Sequence, residues 1–228
     1  MIKAVFFDFN GCLLDDRGLT FRSVQEICRV FKTSKPPTLE DWRRSIGSNY
    51  MDFYRNAGVD PKVTADELNV VRNDYIFSHW NDAQLRPGAE SVVRRCKVKG
   101  FKAVIVSAET DRLLMRRIKE VDLEKLFDGI YTDASPKKAH LEKALRELQL
   151  LPEEIVFIED TAEGVRAGNE VGLITVGFVN DTSYGFHDDI RAAKPKWTIA
   201  ELSEIFVVIN YVNLCKRIDF KNSGRKRN

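Results

Sequence analysis

Short runs of apolar residues recur along the chain and are separated by longer stretches of mixed character. The five clearest runs cover residues 2–7, 103–106, 129–131, 155–158 and 173–179. Several of these runs are continuous rather than alternating, which is typical of strands buried on both faces of a parallel sheet. The pattern therefore predicts a core of buried parallel strands.

Helical patterns lie between these predicted strands. Apolar residues recur at helical spacing after Pro87-Gly88 and after Thr110, which we expect to cap its helix. Thr198 and Glu201 fit a capping box that would open the last helix. Strands that alternate with helices favour an α/β fold with a Rossmann-like, doubly wound parallel sheet.

The interval between the first two predicted strands is unusually long and shows mostly helical patterns. Thr38 and Thr64 are expected to cap two of its helices. A normal crossover between parallel strands needs only about a dozen residues. We therefore predict an α-helical cap over residues 16–82, inserted into a core made of residues 1–15 and 83–210.

The composition is that of a globular protein. The 228 residues are 43% apolar and 31% charged, and no apolar run approaches the roughly eighteen residues of a membrane span. The four cysteines form no Cys-x-x-Cys pair, and His79, His140 and His187 lack the spacing of zinc ligands. We expect a cytoplasmic protein, a monomer or weak homodimer, with no membrane or nucleic-acid partner.

The net charge of +2 is unevenly distributed. Residues 211–228 contain six basic residues and one acidic residue, so the rest of the chain is slightly acidic. A single aromatic residue, Phe220, lies among these charges, and this sparseness argues against a nucleic-acid-binding arm. We predict that this segment is a basic, flexible C-terminal tail.

Polar residues stand where several predicted strands end. The first strand ends in Asp8-Phe9-Asn10-Gly11, the second in Ser107 and the fourth in Glu159-Asp160. Ligands of open α/β sheets bind outside the carboxyl ends of the strands, so these side chains should converge. Carboxylates brought together need a cation, and oxygen-only ligands suit Mg²⁺. Gly11 would expose backbone N–H groups to an anion, and Lys137 could neutralise a phosphate.

Each of these features alone also has an ordinary structural interpretation. An aspartate at a strand end is commonly a turn residue, Ser107 could cap a helix, and Lys137 could be solvated. A phosphorylation-controlled receiver domain uses similar groups, but in another order and without a long insert. The order of the four features within one α/β chain favours a catalytic site.

The same segments resemble the motifs of the haloacid dehalogenase superfamily, in the branch of phosphoglycolate phosphatases and β-phosphoglucomutases. The matching segments are Val5-Phe6-Phe7-Asp8-Phe9-Asn10-Gly11, Val104-Ile105-Val106-Ser107-Ala108, Lys137, Val156-Phe157-Ile158-Glu159-Asp160-Thr161-Ala162-Glu163-Gly164 and, at the junction of cap and core, Leu85-Arg86-Pro87-Gly88. The likeness spans roughly residues 1–207, although the cap matches only in pattern. It implies a hydrolase with this α/β core and a helical cap.

The resemblance also implies a reaction and a set of roles. It implies a phosphatase that acts on a small phosphorylated metabolite through an aspartyl-phosphate on Asp8. Gly11, Ser107, Ala108 and Lys137 would bind the phosphoryl group.

The resemblance implies a magnesium site as well. Mg²⁺ would be held by Asp8, the carbonyl oxygen of Asn10 and Asp160, with Glu159 acting through water. Lys137 is preferred over Lys138 as the motif lysine because of its distance from Asp160 along the chain.

Asn10 departs from the pattern of the superfamily's phosphatases. They carry there a second aspartate, which protonates the leaving group and then activates water. An amide can do neither, and a missing general acid–base typically costs about 10²–10⁴ in rate.

Four explanations of Asn10 stay open. The chain could be an engineered, trapped variant, or a natural enzyme for substrates with good leaving groups. It could instead be a relative of dehalogenases or phosphonate hydrolases, or a pseudoenzyme that binds phosphorylated ligands. The intact remainder of the site favours the first two.

Substrate choice is expected to lie in the cap, whose side chains would descend onto the site. Arg43 and Arg44 are the candidates for substrate binding, with Arg55 as a third. Each of them also fits a solvated helix surface.

Overall fold

The computed structural model describes residues 1–47 and 49–225. Its strands are β1 (Ala4–Phe7), β2 (Leu14–Asp15), β3 (Gln84–Leu85), β4 (Lys102–Val106), β5 (Gly129–Tyr131), β6 (Ile155–Glu159), β7 (Ile174–Phe178) and β8 (Trp197–Ile199). Six of them form one sheet in the order β5-β4-β1-β6-β7-β8, in which every neighbouring pair is parallel. The predicted Rossmann-like α/β core is confirmed.

Alternate residues of the central strand β1 enter two apolar cores on opposite faces of the sheet. Val5 and Phe7 pack into one core, while Ala4 and Phe6 pack into the other, and all four are fully buried. Burying one large apolar side chain contributes roughly 1.5–3 kcal/mol. A strand packed on both faces must be apolar at successive positions, which explains the continuous run in the sequence.

Helices cover both faces of the sheet. The first core is closed by α5 (Ala89–Val98), α6 (Asp111–Glu120) and α10 (Ile205–Arg225), and the second by α7 (Lys137–Leu148) and α8 (Ala162–Val171). A short helix, α9 (His187–Ala192), packs against α8 through Ile190 and Val165. Thr110 occupies the N-cap position of α6, as predicted, but its side chain makes no capping hydrogen bond.

Four helices form the cap. They are α1 (Arg17–Val30), α2 (Leu39–Ser45), α3 (Tyr50–Asn56) and α4 (Ala65–Ser78). Thr38 and Thr64 cap α2 and α4, as expected, and each forms a capping box with the residue three positions later. The helices share an apolar core of their own, which contains Trp42, Tyr54 and Leu68.

A short antiparallel ribbon joins the cap to the sheet domain. In it Leu14 of β2 pairs with Leu85 of β3, and Asp15 pairs with Gln84. Arg86, which is buried, donates from Nε to the carbonyl oxygen of Gly11 at 2.8 Å. The predicted limits of the cap, residues 16 and 82, fall beside this ribbon.

Two predictions for the end of the chain are wrong. Thr198 lies within β8, and the capping box before the last helix uses Glu201 and Glu204 instead. The predicted core boundary at residue 210 is also wrong, because α10 continues to Arg225 through most of the predicted tail. Contacts with the core extend past residue 210: the Ile2 N–H donates to Oδ1 of Asn213 at 2.7 Å. Residues 226–228 of that tail lie outside the described residues.

Among the described residues, no helix combines the length and apolar character needed to cross a bilayer.

Candidate active site

The strand ends bring the predicted polar side chains into one cavity. Strands β4, β1 and β6 are neighbours in the sheet, so Ser107, Asp8 and Asp160, which follow them, meet at its carboxyl edge. All three are buried and line the cavity. The register of three parallel strands thus assembles the site from residues far apart in the sequence.

Lys137 joins two carboxylates at the centre of the site. Its Nζ lies 2.7 Å from Oδ1 of Asp8 and 2.6 Å from Oε2 of Glu159. Lys138 points elsewhere and pairs with Glu170 at 3.1 Å on an exposed surface. The structure therefore brings Lys137, and not Lys138, to Asp8.

Glu159 accepts hydrogen bonds from Lys137 and from the turn that follows β6. Its Oε1 accepts hydrogen bonds from the backbone N–H and the hydroxyl of Thr161, at 3.0 and 2.7 Å, while Oε2 meets Lys137. The side chain is fully buried. Both oxygens are thus engaged by protein donors, and the predicted action of Glu159 on a metal through water stays a prediction.

Asp8 and Asp160 offer a place for a cation. Ligand atoms of Asp8, Asp160 and Cys12 lie within 4.8 Å of one another. Oδ2 of Asp160 accepts from the N–H of Tyr184 at 2.6 Å, whereas the buried Oδ1 has no hydrogen-bond partner in the described part of the chain. Leaving a buried carboxylate oxygen unsatisfied is costly. A divalent cation would satisfy it.

The donor set suits Mg²⁺ rather than a softer metal. Carboxylate oxygens are the ligands that Mg²⁺ prefers. Burial raises the pKa of the Cys12 thiol well above its usual value, and the nearby charges of Asp160 and Asp8 raise it further. A raised pKa disfavours the thiolate form of Cys12, so the two carboxylates are the better ligands for a hard cation.

The raised pKa values of Asp8 and Asp160 also indicate that a cation belongs between them. Burial raises the pKa of Asp8 to about 7, despite the opposing charge of Lys137, and the charge of Glu159 adds to the rise. Burial also raises the pKa of Asp160, and the charge of Asp8 adds to it. Two adjacent buried carboxylates ionise together at neutral pH only if a cation compensates them.

Gly11 has a steric role beside this pair. Its φ of +78° lies in the left-handed region, and a Cβ atom there would lie 2.1 Å from Oδ2 of Asp160. Its N–H donates to the carbonyl oxygen of Leu14 at 2.8 Å and to Oδ1 of Asp16 at 3.1 Å. The N–H of Gly11 itself is therefore engaged within the protein, and the expected exposure of backbone N–H groups to an anion at this turn stays a prediction.

Ser107 and Ala108 both line the cavity after β4. The Ser107 hydroxyl donates to Oδ1 of Asn10 at 3.3 Å and accepts from the N–H of Glu109 at 3.1 Å. This loop therefore places the Ser107 hydroxyl and Ala108 in the same cavity as Asp8, where a transferred phosphoryl group would bind.

Asn10 is held between two carboxylates. Its Nδ2 donates to Oδ2 of Asp16 at 2.6 Å and, more weakly, to Oε2 of Glu109 at 3.4 Å. Asp16 is buried and also accepts from the hydroxyl of Tyr184 at 3.0 Å. An aspartate at position 10 would be a third carboxylate in this cluster. The surroundings therefore fit an amide at position 10 better than a carboxylate.

The cap closes the cavity, whose volume is about 450 Å³. The cap residues that line it are Thr20, Val24, Ile27, Trp42, Ile46, Gly47, Tyr50, Tyr54, Leu68, Asn69 and Arg72. Most of them are apolar or aromatic. Arg72 is charged, and it binds the carboxylate of Glu109 in the core with two hydrogen bonds of 2.8 and 3.1 Å.

The predicted substrate-binding arginines of the cap lie outside this cavity, so the prediction for Arg43 and Arg44 is wrong. Arg43 donates hydrogen bonds to the carbonyl oxygens of Tyr184 and Gly185 at 2.9 and 2.6 Å. These bonds connect α2 to the core. Arg44 pairs with Glu40 on the exposed side of α2.

Arg55 likewise pairs with exposed Asp52, at 3.3 Å. This contact fits the alternative of a solvated helix residue.

Three residues of the site were not found from the sequence. Glu109 follows Ser107 by two positions, so the strand-end rule that identified Ser107 could have included it. Asp16 lies where the ribbon enters the cap, and only its contact with Asn10 reveals it. Arg72 is one of many charged residues on predicted helices, and no pattern distinguishes it.

A parallel α/β sheet whose strand ends gather two aspartates, a lysine and a hydroxyl under a helical cap defines a class of hydrolases. Residues 5–178 match the model of the haloacid dehalogenase-like hydrolases, and the chain belongs to this family. The resemblance found in the sequence is thereby confirmed.

Relatives and solved structures agree with this assignment. The chain is 24% identical to a pyrophosphatase, PpaX, of Listeria innocua over 91% of this chain and 96% of the relative. It is 25% identical to a phosphorylated carbohydrates phosphatase of Thermotoga maritima, over 75% of this chain and 82% of the relative. CbbY from Rhodobacter sphaeroides, solved in complex with phosphate, has a similar fold, with a TM-score of 0.76 at 20% identity over 90% and 96% of the two chains.

Proposed function

We propose that this hydrolase is a Mg²⁺-dependent phosphatase of small phosphorylated metabolites, with Asp8 as the nucleophile. The observation that carries the proposal is the contact of 2.7 Å between Asp8 and Lys137, in a cavity shared with Ser107 and Asp160. A carboxylate held by a lysine beside a cation site is suited to attack phosphorus. Relatives that are themselves named as phosphatases support the same reaction class.

The chemistry is divided among the core residues. The Asp8 carboxylate would form a bond to phosphorus while the bond to the leaving group breaks, and water would then hydrolyse the aspartyl-phosphate. Lys137 and the Ser107 hydroxyl would stabilise the charge on the transferred group. Mg²⁺ bound by Asp8 and Asp160 would neutralise part of that charge.

Asn10 limits the leaving groups that such a site can expel. An amide has no proton to give at neutral pH, so the departing oxygen must leave without a general acid at this position. The fit of the amide between Asp16 and Glu109 supports a native Asn10 in an enzyme for good leaving groups.

The volume of the cavity supports a small substrate, and the free thiols support a cytoplasmic location. The cavity of about 450 Å³ suits a metabolite rather than a polymer. The four cysteines are free thiols, three of them buried, which agrees with action in the reducing cytoplasm.

Acetyl phosphate labelling tests the nucleophile directly. We expect Mg²⁺-dependent incorporation of phosphate at Asp8 and release of inorganic phosphate with excess reagent. The variant Asp8→Asn should lose both. The matched control Asp188→Asn, at a side chain that is 98% exposed, should retain both. Equal labelling of Asp8→Asn and the unchanged chain would refute the proposal.

A second candidate function is favoured by Asn10 alone. A protein without the acid–base aspartate could bind phosphorylated ligands and not turn them over. Trifluoroberyllate distinguishes the two: binding of phosphate with no Asp8-dependent response to trifluoroberyllate and no phosphate release would indicate a binding module.

A further inference from the structure

The two charged side chains at the meeting point of cap and core neutralise each other inside the cavity. Arg72 from α4 and Glu109 from the loop after β4 form a bidentate pair, with side chains 23% and 8% exposed. Both residues line the cavity above Asp8. The net charge near a bound leaving group therefore depends on this ion pair.

Glu109 is fixed on the core side of this pair. Its Oε1 accepts from the N–H of Thr110 at 2.9 Å, and its Oε2 lies 3.4 Å from Nδ2 of Asn10. Burial opposes its ionisation, but the charge and hydrogen bonds of Arg72 outweigh burial and lower the pKa of Glu109. The carboxylate is therefore charged and anchored at neutral pH.

An anionic leaving group would find no free cation on the cap wall. Among the described cap residues that line the cavity, Arg72 is the one cation, and Glu109 already satisfies it. A second anion that approached Arg72 would also meet the buried carboxylate of Glu109, and an anion that displaced Glu109 would leave that carboxylate without its partner. Like charges brought together in this way are strongly unfavourable.

The rest of the cap wall is suited to a flat, uncharged group. Trp42 and Tyr54 are buried aromatic side chains that line the cavity, and Leu68 lies beside them. Aromatic and aliphatic walls bind a ring through burial of apolar surface and favourable ring contacts.

We propose that the substrate is a phosphate monoester with an uncharged, ring-bearing leaving group, and that Glu109 is the residue that excludes anionic leaving groups. This inference rests on the proposed function and narrows its substrate class. The absence of a general acid at Asn10 agrees with it, since a phenolic or enolic oxygen can leave as an anion.

The proposed hydrolysis needs no reactant other than the ester and water. Asp8 forms a bond to phosphorus, the bond from phosphorus to the ring oxygen breaks, and the oxygen leaves with the electron pair. It takes a proton from solvent outside the site. Water then attacks the aspartyl-phosphate, which releases inorganic phosphate and regenerates Asp8.

A pair of substrates that differ by one carboxylate group tests the inference. Phenyl phosphate and 4-carboxyphenyl phosphate share the ring and the ester bond. We expect kcat/KM of the unchanged protein to favour phenyl phosphate by about tenfold or more. Glu109→Gln should remove or reverse this preference, because it frees Arg72 to bind the added carboxylate.

Two further variants separate specificity from damage to the fold. Arg72→Gln should shift the preference further toward phenyl phosphate, opposite in direction to Glu109→Gln. Glu40→Gln, which removes the exposed partner of Arg44, should leave the ratio unchanged. If Glu109→Gln does not fold, the direction of the shift in Arg72→Gln still decides the matter.

The outcomes also separate this inference from the proposed function. Asp8-dependent hydrolysis with no preference between the two esters, or with a preference for 4-carboxyphenyl phosphate or pyrophosphate, overturns the inference and leaves the phosphatase intact. Shifts of the same direction in Glu109→Gln and Arg72→Gln also overturn it. Failure to release phosphate from any substrate in an Asp8-dependent way refutes the proposed function itself.

Discussion

The core wall and the cap wall of the cavity differ in their chemistry and in how they are held. On the core wall, Asp8, Lys137 and Glu159 form a buried chain of ion pairs with contacts of 2.6 and 2.7 Å. On the cap wall, Trp42 and Tyr54 present aromatic surface from a small helical core. One wall concentrates charge, whereas the other is largely apolar.

This difference suggests a division of labour between the two walls. Charges fixed before a substrate arrives stabilise a transition state without reorganisation. An apolar wall selects a leaving group by shape and burial, and it contributes little to the chemical step. The core should therefore determine turnover, and the cap should determine which ester is accepted.

Removal of Lys137 should produce the largest effect. The variant Lys137→Met leaves the buried carboxylates of Asp8 and Glu159 without their common partner. We expect phosphate release to fall by about 10²–10³-fold and the free energy of unfolding to fall by about 3–5 kcal/mol. Phosphate-release assays and urea denaturation measure the two effects.

Lys138→Met is the matched control for this experiment. Lys138 pairs with Glu170 on the surface, so its loss should change neither turnover nor stability measurably. Equal effects of the two substitutions would contradict the central place of Lys137 in the core wall.

Swapping the amide of Asn10 and the carboxylate of Asp16 should produce the next largest effect on turnover. The sequence alone suggests that Asn10→Asp restores a general acid, but the structure places Asp16 at 2.6 Å from Nδ2 of Asn10. Two carboxylates at that distance repel each other. The double variant Asn10→Asp/Asp16→Asn keeps one amide and one carboxylate and places the carboxylate at position 10, which lines the cavity together with Asp8.

We expect the double variant to hydrolyse an alkyl phosphate, whose leaving group needs a proton, about tenfold or more faster than the unchanged protein. Asn10→Asp alone should gain less, because of the repulsion with Asp16. Measurement of kcat on alkyl and aryl phosphates checks this. A larger gain in the single variant would mean that the contact with Asp16 does not matter.

The core wall was predictable from the sequence for a physical reason. A residue that directly follows a buried parallel strand lies at the carboxyl edge of the sheet whatever its side chain. Asp8, Ser107 and Asp160 were therefore found without knowledge of the strand order. The contact of Lys137 with Asp8 depends on where α7 begins. The sequence indicated Lys137 at the start of that helix, but the choice of Lys137 over Lys138 rested on the resemblance.

The cap wall was not predictable in the same way. Which side of a helix faces the cavity depends on how that helix docks, and charged residues occur on several sides. Arg43 and Arg44 were selected and lie outside the cavity, while Arg72 was missed. At the C-terminus, basic residues suggested a tail, but apolar residues such as Val212 keep one side of α10 partly buried.

Magnesium should stabilise the core wall in a pH-dependent manner. Without a cation, the pKa of Asp8 is raised from 3.8 to about 7 by burial. The folded protein thus holds a proton between about pH 4 and pH 7 that the unfolded chain has lost. A rise in pH through this window therefore lowers the free energy of unfolding of the metal-free protein.

Bound Mg²⁺ should oppose this loss, since it compensates the ionised aspartates. At a concentration about a hundred times its dissociation constant, it should add about 2.7 kcal/mol to the stability. The gain should be larger at pH 8 than at pH 5, because protons compete with the cation. Thermal unfolding with Mg²⁺ or a chelator measures it, and Asp160→Asn should lose most of the gain.

The smallest predicted effect concerns the contact between the two walls. Arg43 donates two hydrogen bonds to core carbonyl oxygens, and its guanidinium lies 4.0 Å from the ring centroid of Phe186. Arg43→Gln should lower the free energy of unfolding by about 1–2 kcal/mol. It should also raise KM a few-fold while kcat stays nearly constant, because the cap wall would be held less firmly over an unchanged core wall.

Arg44→Gln is the matched control for Arg43→Gln. Arg44 is adjacent in α2 and also charged, but its hydrogen bonds in the described part of the chain go to exposed Glu40, and its guanidinium lies farther from the Phe186 ring centroid, at 4.9 Å. Arg44→Gln should therefore change KM by less than about twofold. Steady-state kinetics on phenyl phosphate distinguish the two arginines. A fall in kcat with unchanged KM in Arg43→Gln would show that the cap takes part in the chemical step, and the separation of turnover from selection would then fail.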